Sequence, residues 1–174
     1  ARNVAENLAR LGLQVDLCGC VGRDIAAQTI LAPLQALGVN THSCLVSETG
    51  ATGRYTAVLD AAGQLVMGMA DTHITEALTP HVLAPVVHAQ TSALWMADMN
   101  LPTSSIAWLG QEAFKRKITF VLVAVSEPKM NRLPNDLQGI DTLMLNRGEL
   151  AALGFTESEI GAAYTQLHAT GLRR

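Results

Sequence analysis

Apolar residues recur along the chain with two periods, and each period marks a different kind of element. Near the start, Val4, Leu8 and Leu11 fall three or four apart with Ala5 and Ala9 beside them. This predicts a helix with one close-packing face, ended by Gly12 in a left-handed cap. Residues 15–21 form a short apolar run of strand length. Asp24 is placed to cap a second helix over 25–37, closed by Gly38, which Pro33 should kink or break. A weak strand is expected at 42–46. Residues 54–59 and 64–69 flank Asp60-Ala61-Ala62-Gly63, the pattern of a hairpin with apolar positions on both faces. Thr79-Pro80 opens a short helix that carries Pro85. From residue 93 the two periods alternate. A strand at 93–97 precedes a helix at 104–117 with Ile106, Leu109 and Ala113 inward, and then an almost wholly apolar run at 118–125. A connecting segment leads to Ile140, a strand follows at 142–145, a helix begins at Glu149, and a last one covers 157–168. Such alternation predicts right-handed crossovers and a parallel sheet in an α/β fold.

Composition narrows the function classes. With 174 residues, 49% hydrophobic and 16% charged, the chain can bury one good core. A formal charge of -3 gives no electrostatic case for nucleic acid, and no apolar run reaches membrane-spanning length. A cytoplasmic protein is expected. Cys18, Cys20 and Cys44 are odd in number and lack zinc-type spacing, so they read as buried thiols. The chain opens on a helix without Met and stops just after another. It is therefore expected to be a piece of a longer protein, one partial domain over 1–174.

Ligands of an open parallel sheet sit beyond the carboxyl ends of its strands. Three polar clusters fall at such ends: Asp98 with Asn100, Ser126 with Glu127 and Lys129, and Asn146 with Glu149. Glu149, in a first helical turn, either complements the helix dipole or holds a hydrated magnesium ion. Asn3 either caps its helix or faces a ligand. His73 reads as a solvated loop residue beside the hairpin. His42, His81, His88 and His168 have no partner at ligand spacing, and Met67, Met69, Met96 and Met99 read as packing. Neither a Gly-x-x-x-x-Gly-Lys loop nor a Gly-x-Gly-x-x-Gly fingerprint occurs, which argues against Walker-type and classical dinucleotide binding.

Asn3-x-Ala5, Leu8-Ala9-Arg10-Leu11-Gly12 and Val21-Gly22-x-Asp24 together resemble the first signature of the ribokinase-like (PfkB-type) carbohydrate kinases. Asn146-x-x-Glu149 after a strand resembles the magnesium and phosphate region of the same family. The resemblance implies a three-layer α/β fold, a parallel sheet flanked by helices with a small β lid, here the hairpin at about 53–70. It implies ATP and Mg²⁺, with a monovalent cation such as K⁺ as a further candidate. It implies Asn3 on the sugar hydroxyls, Glu149 on magnesium through water, and a homodimer formed through the lid. The family's Gly-Ala-Gly-Asp stretch, with its general base, and its ATP-binding part are expected after the last residue here. The chain alone is then expected to be inactive. Arg54-Tyr55-x-x-Val58-Leu59-Asp60-x-x-Gly63, Met69-Ala70-Asp71, Ala97-Asp98-Met99-Asn100-Leu101 and Val125-Ser126-x-Pro128-Lys129 are similar to the pseudouridine kinase branch. That branch has Asp-Pro where Val123-Ala124 stands. The similarity implies Asn3, Asp71 and Asn100 around the substrate. Asn100 stands where ribokinase has a sugar-binding Glu, which implies a ligand other than free ribose. From a different class, a non-catalytic α/β module for a small metabolite or for dimerisation also accommodates the pattern.

Overall fold

The computed structural model describes all 174 residues, and the chain divides into two compact units, Ala1–Ala77 and Leu78–Arg174.

In the first unit, α1 (Arg2–Arg10) ends as expected, with Gly12 at φ +84 and the Gly12 and Leu13 N–H groups bonded to the Ala9 and Leu8 carbonyls. Its packing face is narrower than the pattern suggested. Ala5 is buried, but Leu11 has passed beyond the last helical turn and is 78% exposed. The strand expected over 15–21 shortens to β1 (Gly19–Gly22), paired in parallel with β2 (Cys44–Ser47). Further back only a single bridge, Asp16 to Asn40, joins the two segments, so a continuous ladder starts only at Gly19. Between them lies α2 (Ile25–Ala36), which runs through Pro33 without a break. Proline there removes the donor for the Thr29 carbonyl, and Thr29 is exposed, so water can take that bond.

The hairpin forms where the pattern predicts it, with an irregularity in pairing between Val58 and Leu59. β3 (Arg54–Leu59) pairs antiparallel with β4 (Leu65–Asp71), and Arg54 lies opposite Asp71. Asp60 closes the turn by accepting the Ala62 and Gln64 N–H groups, and Gly63 takes φ +79. Every residue of both strands is exposed. Tyr55 lies across Gly68, where any side chain would collide with its ring. A 3-10 turn, His73–Ala77, follows and buries Ile74.

The second unit is the parallel α/β part. α3 (Pro80–Ala89) starts on Pro80, and β5 (Leu94–Asp98), β6 (Thr119–Val123) and β7 (Thr142–Met144) form a parallel sheet in the order β5-β6-β7. Phe120 and Leu122 are fully buried, and Val121, pointing the other way, nearly so. Both faces of the central strand are thus covered, as an unbroken apolar run requires. α4 (Thr103–Arg116) crosses from β5 to β6 with Ile106, Leu109 and Ala113 inward, and ends on Lys117 in the left-handed region, φ 57. The segment expected to be a plain connection contains a 3-10 turn, Glu127–Arg132, held down by buried Met130. α5 (Arg147–Ala152) follows β7. The last helix is α6 (Ile160–Ala169), preceded by a short 3-10 turn, Glu157–Glu159, on which Thr156 and Glu159 close a capping box. No helix is long and apolar enough to cross a membrane.

Candidate functional site

The second unit presents three successive strand ends, and side chains link them into one rim. After β5, the Asp98 carboxylate accepts the Asn100 N–H at 3.0 Å. Met99 between them is fully buried and donates its N–H to the Val123 carbonyl at 3.1 Å. Asn100 is thereby held at the mouth of the sheet by an anchor on one side and a turn on the other. The Arg132 guanidinium, reaching from the end of the 127–132 turn, donates to the Asn100 carbonyl at 2.8 Å and to the Leu101 carbonyl at 3.2 Å. At the start of the same turn, the Glu127 side chain occupies the space that any side chain at Gly148 would need. Residue 148 lies in the first turn of α5, so the 127–132 turn touches the loops on both sides of it.

Asn146 and Glu149 meet directly. Asn146 caps α5 by accepting the Glu149 N–H at 3.0 Å, while Glu149 Oε2 accepts the Asn146 N–H at 2.7 Å. This reciprocal box satisfies two orphan donors at the helix start. Glu149 is only 3% exposed. Its other carboxylate oxygen makes no hydrogen bond and is not wholly cut off from solvent. One carboxylate oxygen without a protein partner suits Mg²⁺, which keeps most of its waters and takes few protein ligands. No three His, Cys, Asp or Glu side chains gather as a protein-only metal set.

The first unit supplies the other candidates. Asn3 lies in the first turn of α1, exposed, but it is not the cap: Ala1 is, and the Asn3 side chain accepts from Arg2 Nη1 at 3.0 Å. Asp71 is the last residue of β4 and exposed, and His73 opens the following 3-10 turn. Asp24 does more than its expected capping of α2. Its Oδ1 accepts the Ala27 N–H at 2.9 Å and the Thr52 hydroxyl at 2.6 Å, its Oδ2 accepts the Thr52 N–H at 2.8 Å, and Thr52 Oγ1 accepts the Gly22 N–H at 2.8 Å. The end of β1, the start of α2 and the base of the hairpin are tied at one carboxylate. Gly22 must be glycine here, because a Cβ would lie 2.7 Å from the Thr52 nitrogen.

The bonds to Thr52 hold the Asp24 carboxyl below its ordinary range, with those from Ala27 and the charge of Arg54 adding to the effect. A carboxyl lowered on folding contributes stability above its unfolded value, and that contribution is lost as pH falls through the lowered folded value. Asp24→Asn turns an amide donor toward one of these donors. Its melting midpoint should therefore fall below the wild-type value at about pH 7, with the gap closing as the pH drops below about 4. Thermal melts across that range check this, and a gap that persists undiminished in acid would show that the Asp24 charge is not involved.

The three thiols are half-buried and free. Burial, aided by the neighbouring Cys44 and Cys20, pushes the Cys18 thiol up to about 11, so it is not a nucleophile at neutral pH. Two cavities, of about 490 and 600 Å³, lie elsewhere: one beside Ile118, Thr119 and Arg173 at the amino end of β6, the other beside Gln35 and Asn40. Neither is lined by a candidate residue. Sequence reading missed Arg132 and Thr52, since each acts through a partner distant in the chain and belongs to no local pattern.

Comparison with known proteins bears on the family and the fold. The model of the pfkB family of carbohydrate kinases matches residues 1–174. The chain is 30% identical over 178 residues to the uncharacterized sugar kinase YeiI of Escherichia coli, covering 99% of this chain and 49% of that protein. It is 31% identical over 155 residues to the pseudouridine kinase of Escherichia coli, covering 87% of this chain and 48% of that protein. The chain thus spans about half the length of these relatives. A ribokinase from Arabidopsis thaliana, solved with ribose and ATP, superposes with a TM-score of 0.76 at 19% identity, over 98% of this chain and 57% of that one.

Proposed function

The chain belongs to the pfkB family of carbohydrate kinases and has its ribokinase-like α/β fold, and on that premise we propose that the whole protein transfers a phosphoryl group from ATP to a hydroxyl of pseudouridine. The observation that carries this reading is the joined rim at the carboxyl ends of β5, β6 and β7, where Asn100, the 127–132 turn and the Asn146–Glu149 box follow one another. In an open parallel sheet this is where ligands bind. Asn100, Asn3 and Asp71 are the proposed acceptor contacts. An amide both donates and accepts, and a carboxylate accepts from hydroxyls, so each of these side chains suits a ribosyl hydroxyl or a base edge. Glu149 is the proposed magnesium contact, through water. Bound magnesium would supply neutralisation of the transferring phosphate. The residues of this chain bind and orient. Pseudouridine, rather than a free sugar, is supported by the 31% identical relative and by the amide at residue 100.

The test is a panel of pseudouridine, uridine, ribose and fructose with ATP and magnesium, using the full-length protein. The expected result is a kcat/KM for pseudouridine at least about tenfold above the others, since unpaired polar groups penalise the wrong acceptor. Preference for ribose or fructose would overturn the acceptor assignment, and no turnover of any of them would overturn the kinase reading. The hairpin, exposed on both faces with Val66, Met67 and Met69 among its residues, is proposed to pair with a second copy. Sedimentation of the full-length protein as a monomer at micromolar concentration would exclude that.

A further inference from the structure

We infer that Arg132 is a positioning residue that fixes Asn100 for acceptor binding, an inference that rests on reading Asn100 as an acceptor contact. Both backbone polar groups of Asn100 are taken by side chains: its N–H by the Asp98 carboxylate at 3.0 Å and its C=O by the Arg132 guanidinium at 2.8 Å. The ladder ends at Asp98, with the Met99 N–H still bonded to the Val123 carbonyl at 3.1 Å one residue before Asn100. The same guanidinium nitrogen also reaches the Leu101 carbonyl at 3.2 Å, and so spans two consecutive peptide units. Bonds from a charged donor are roughly twice as strong as neutral ones.

The tether is only as rigid as its origin, and that origin is well held. Arg132 ends a 3-10 turn that has Pro128 near its start and Met130 4% exposed. Glu127 of that turn abuts Gly148 in the first turn of α5, next to the Asn146–Glu149 box. One short turn thus registers the proposed acceptor loop against the proposed magnesium region. Without the tether the acceptor itself would have to order the Asn100 loop, and that cost falls on acceptor binding rather than on turnover.

The experiment uses the full-length protein with Arg132→Met, Arg132→Lys and Asn100→Ala. Hydrogen exchange of a peptide covering residues 98–102 reports the loop without reference to substrate. Arg132→Met should speed exchange there by about tenfold and raise the acceptor KM by about tenfold, with kcat and the KM for ATP within about twofold. Arg132→Lys, which keeps a charged donor, should recover part of both effects and serves if Arg132→Met does not fold. Unchanged exchange in 98–102 overturns the tether, as does a loss confined to thermal stability. If Asn100→Ala raises the acceptor KM and the Arg132 variants do not, the positioning role fails while the site reading stands. If Asn100→Ala leaves that KM unchanged, the site reading fails, and Arg132 as its positioning residue fails with it.

Discussion

Replacing Glu149 by glutamine in the full-length protein should leave its folding nearly intact and lower magnesium-dependent kcat/KM by roughly 10- to 100-fold. The two halves of this expectation come from the two oxygens of one carboxylate. Oε2 accepts the Asn146 N–H at 2.7 Å and completes the capping box. Glutamine at this helical position closes the same box, so the change should cost no more than about 1 kcal/mol. The other oxygen is the one offered to a hydrated cation, and an amide oxygen there carries no charge to attract it. Glu149→Ala removes both functions and should lower the melting midpoint as well. A magnesium titration of activity separates the roles. If Glu149→Gln needs no more magnesium than the wild type and turns over as fast, Glu149 only caps a helix.

That double use explains how the site was legible and where it was not. Asn-x-x-Glu is at once a helix-start signature and the pattern that resembles a phosphate and magnesium region, and the four residues alone do not separate the two readings. The structure shows the capping geometry, which accounts for both side chains without any ligand and leaves one carboxylate oxygen without a hydrogen bond. Much of the fold was readable for simpler reasons. The run at 118–125 reads as a doubly covered strand because Phe120, Val121 and Leu122 have no polar alternation, and Asp24 before an apolar helix reads as a cap. What escaped was long-range. Thr52 is 28 residues from Asp24 and Arg132 is 32 from Asn100, so no window of helical or strand period contains either pair. Pro33 misled in the opposite direction. A local rule predicts a break, but near a helix end with an exposed carbonyl behind it the lost bond is cheap.

Gly139, which sits in the segment that reads as a featureless connection, should be the least replaceable residue of the second unit. It holds φ +87, and a Cβ there would overlap the backbone carbonyl of Gly110 in the middle of α4 and come within 3.1 Å of the Phe114 Cβ. Gly110 is the counterpart: a Cβ on it would lie 2.9 Å from the Gln138 carbonyl oxygen. Helix and segment therefore touch backbone to backbone, through two glycines. Relieving the overlap means lifting 138–140 off α4, and that uncovers Leu137 and Ile140, each 1% exposed. Gly139→Ala should thus cost about 5 kcal/mol or more, a value found only where packing fails outright, against a total domain stability of about 5–15 kcal/mol. Loss of the cooperative melt, or insoluble protein, is the expected result. Gly154→Ala is the control. Its φ is +89 but nothing lies within 4 Å, so it carries only the left-handed strain of about 1–2 kcal/mol. Should the two variants melt within a few degrees of each other, the close approach of α4 to residue 139 does not carry the packing of the second unit.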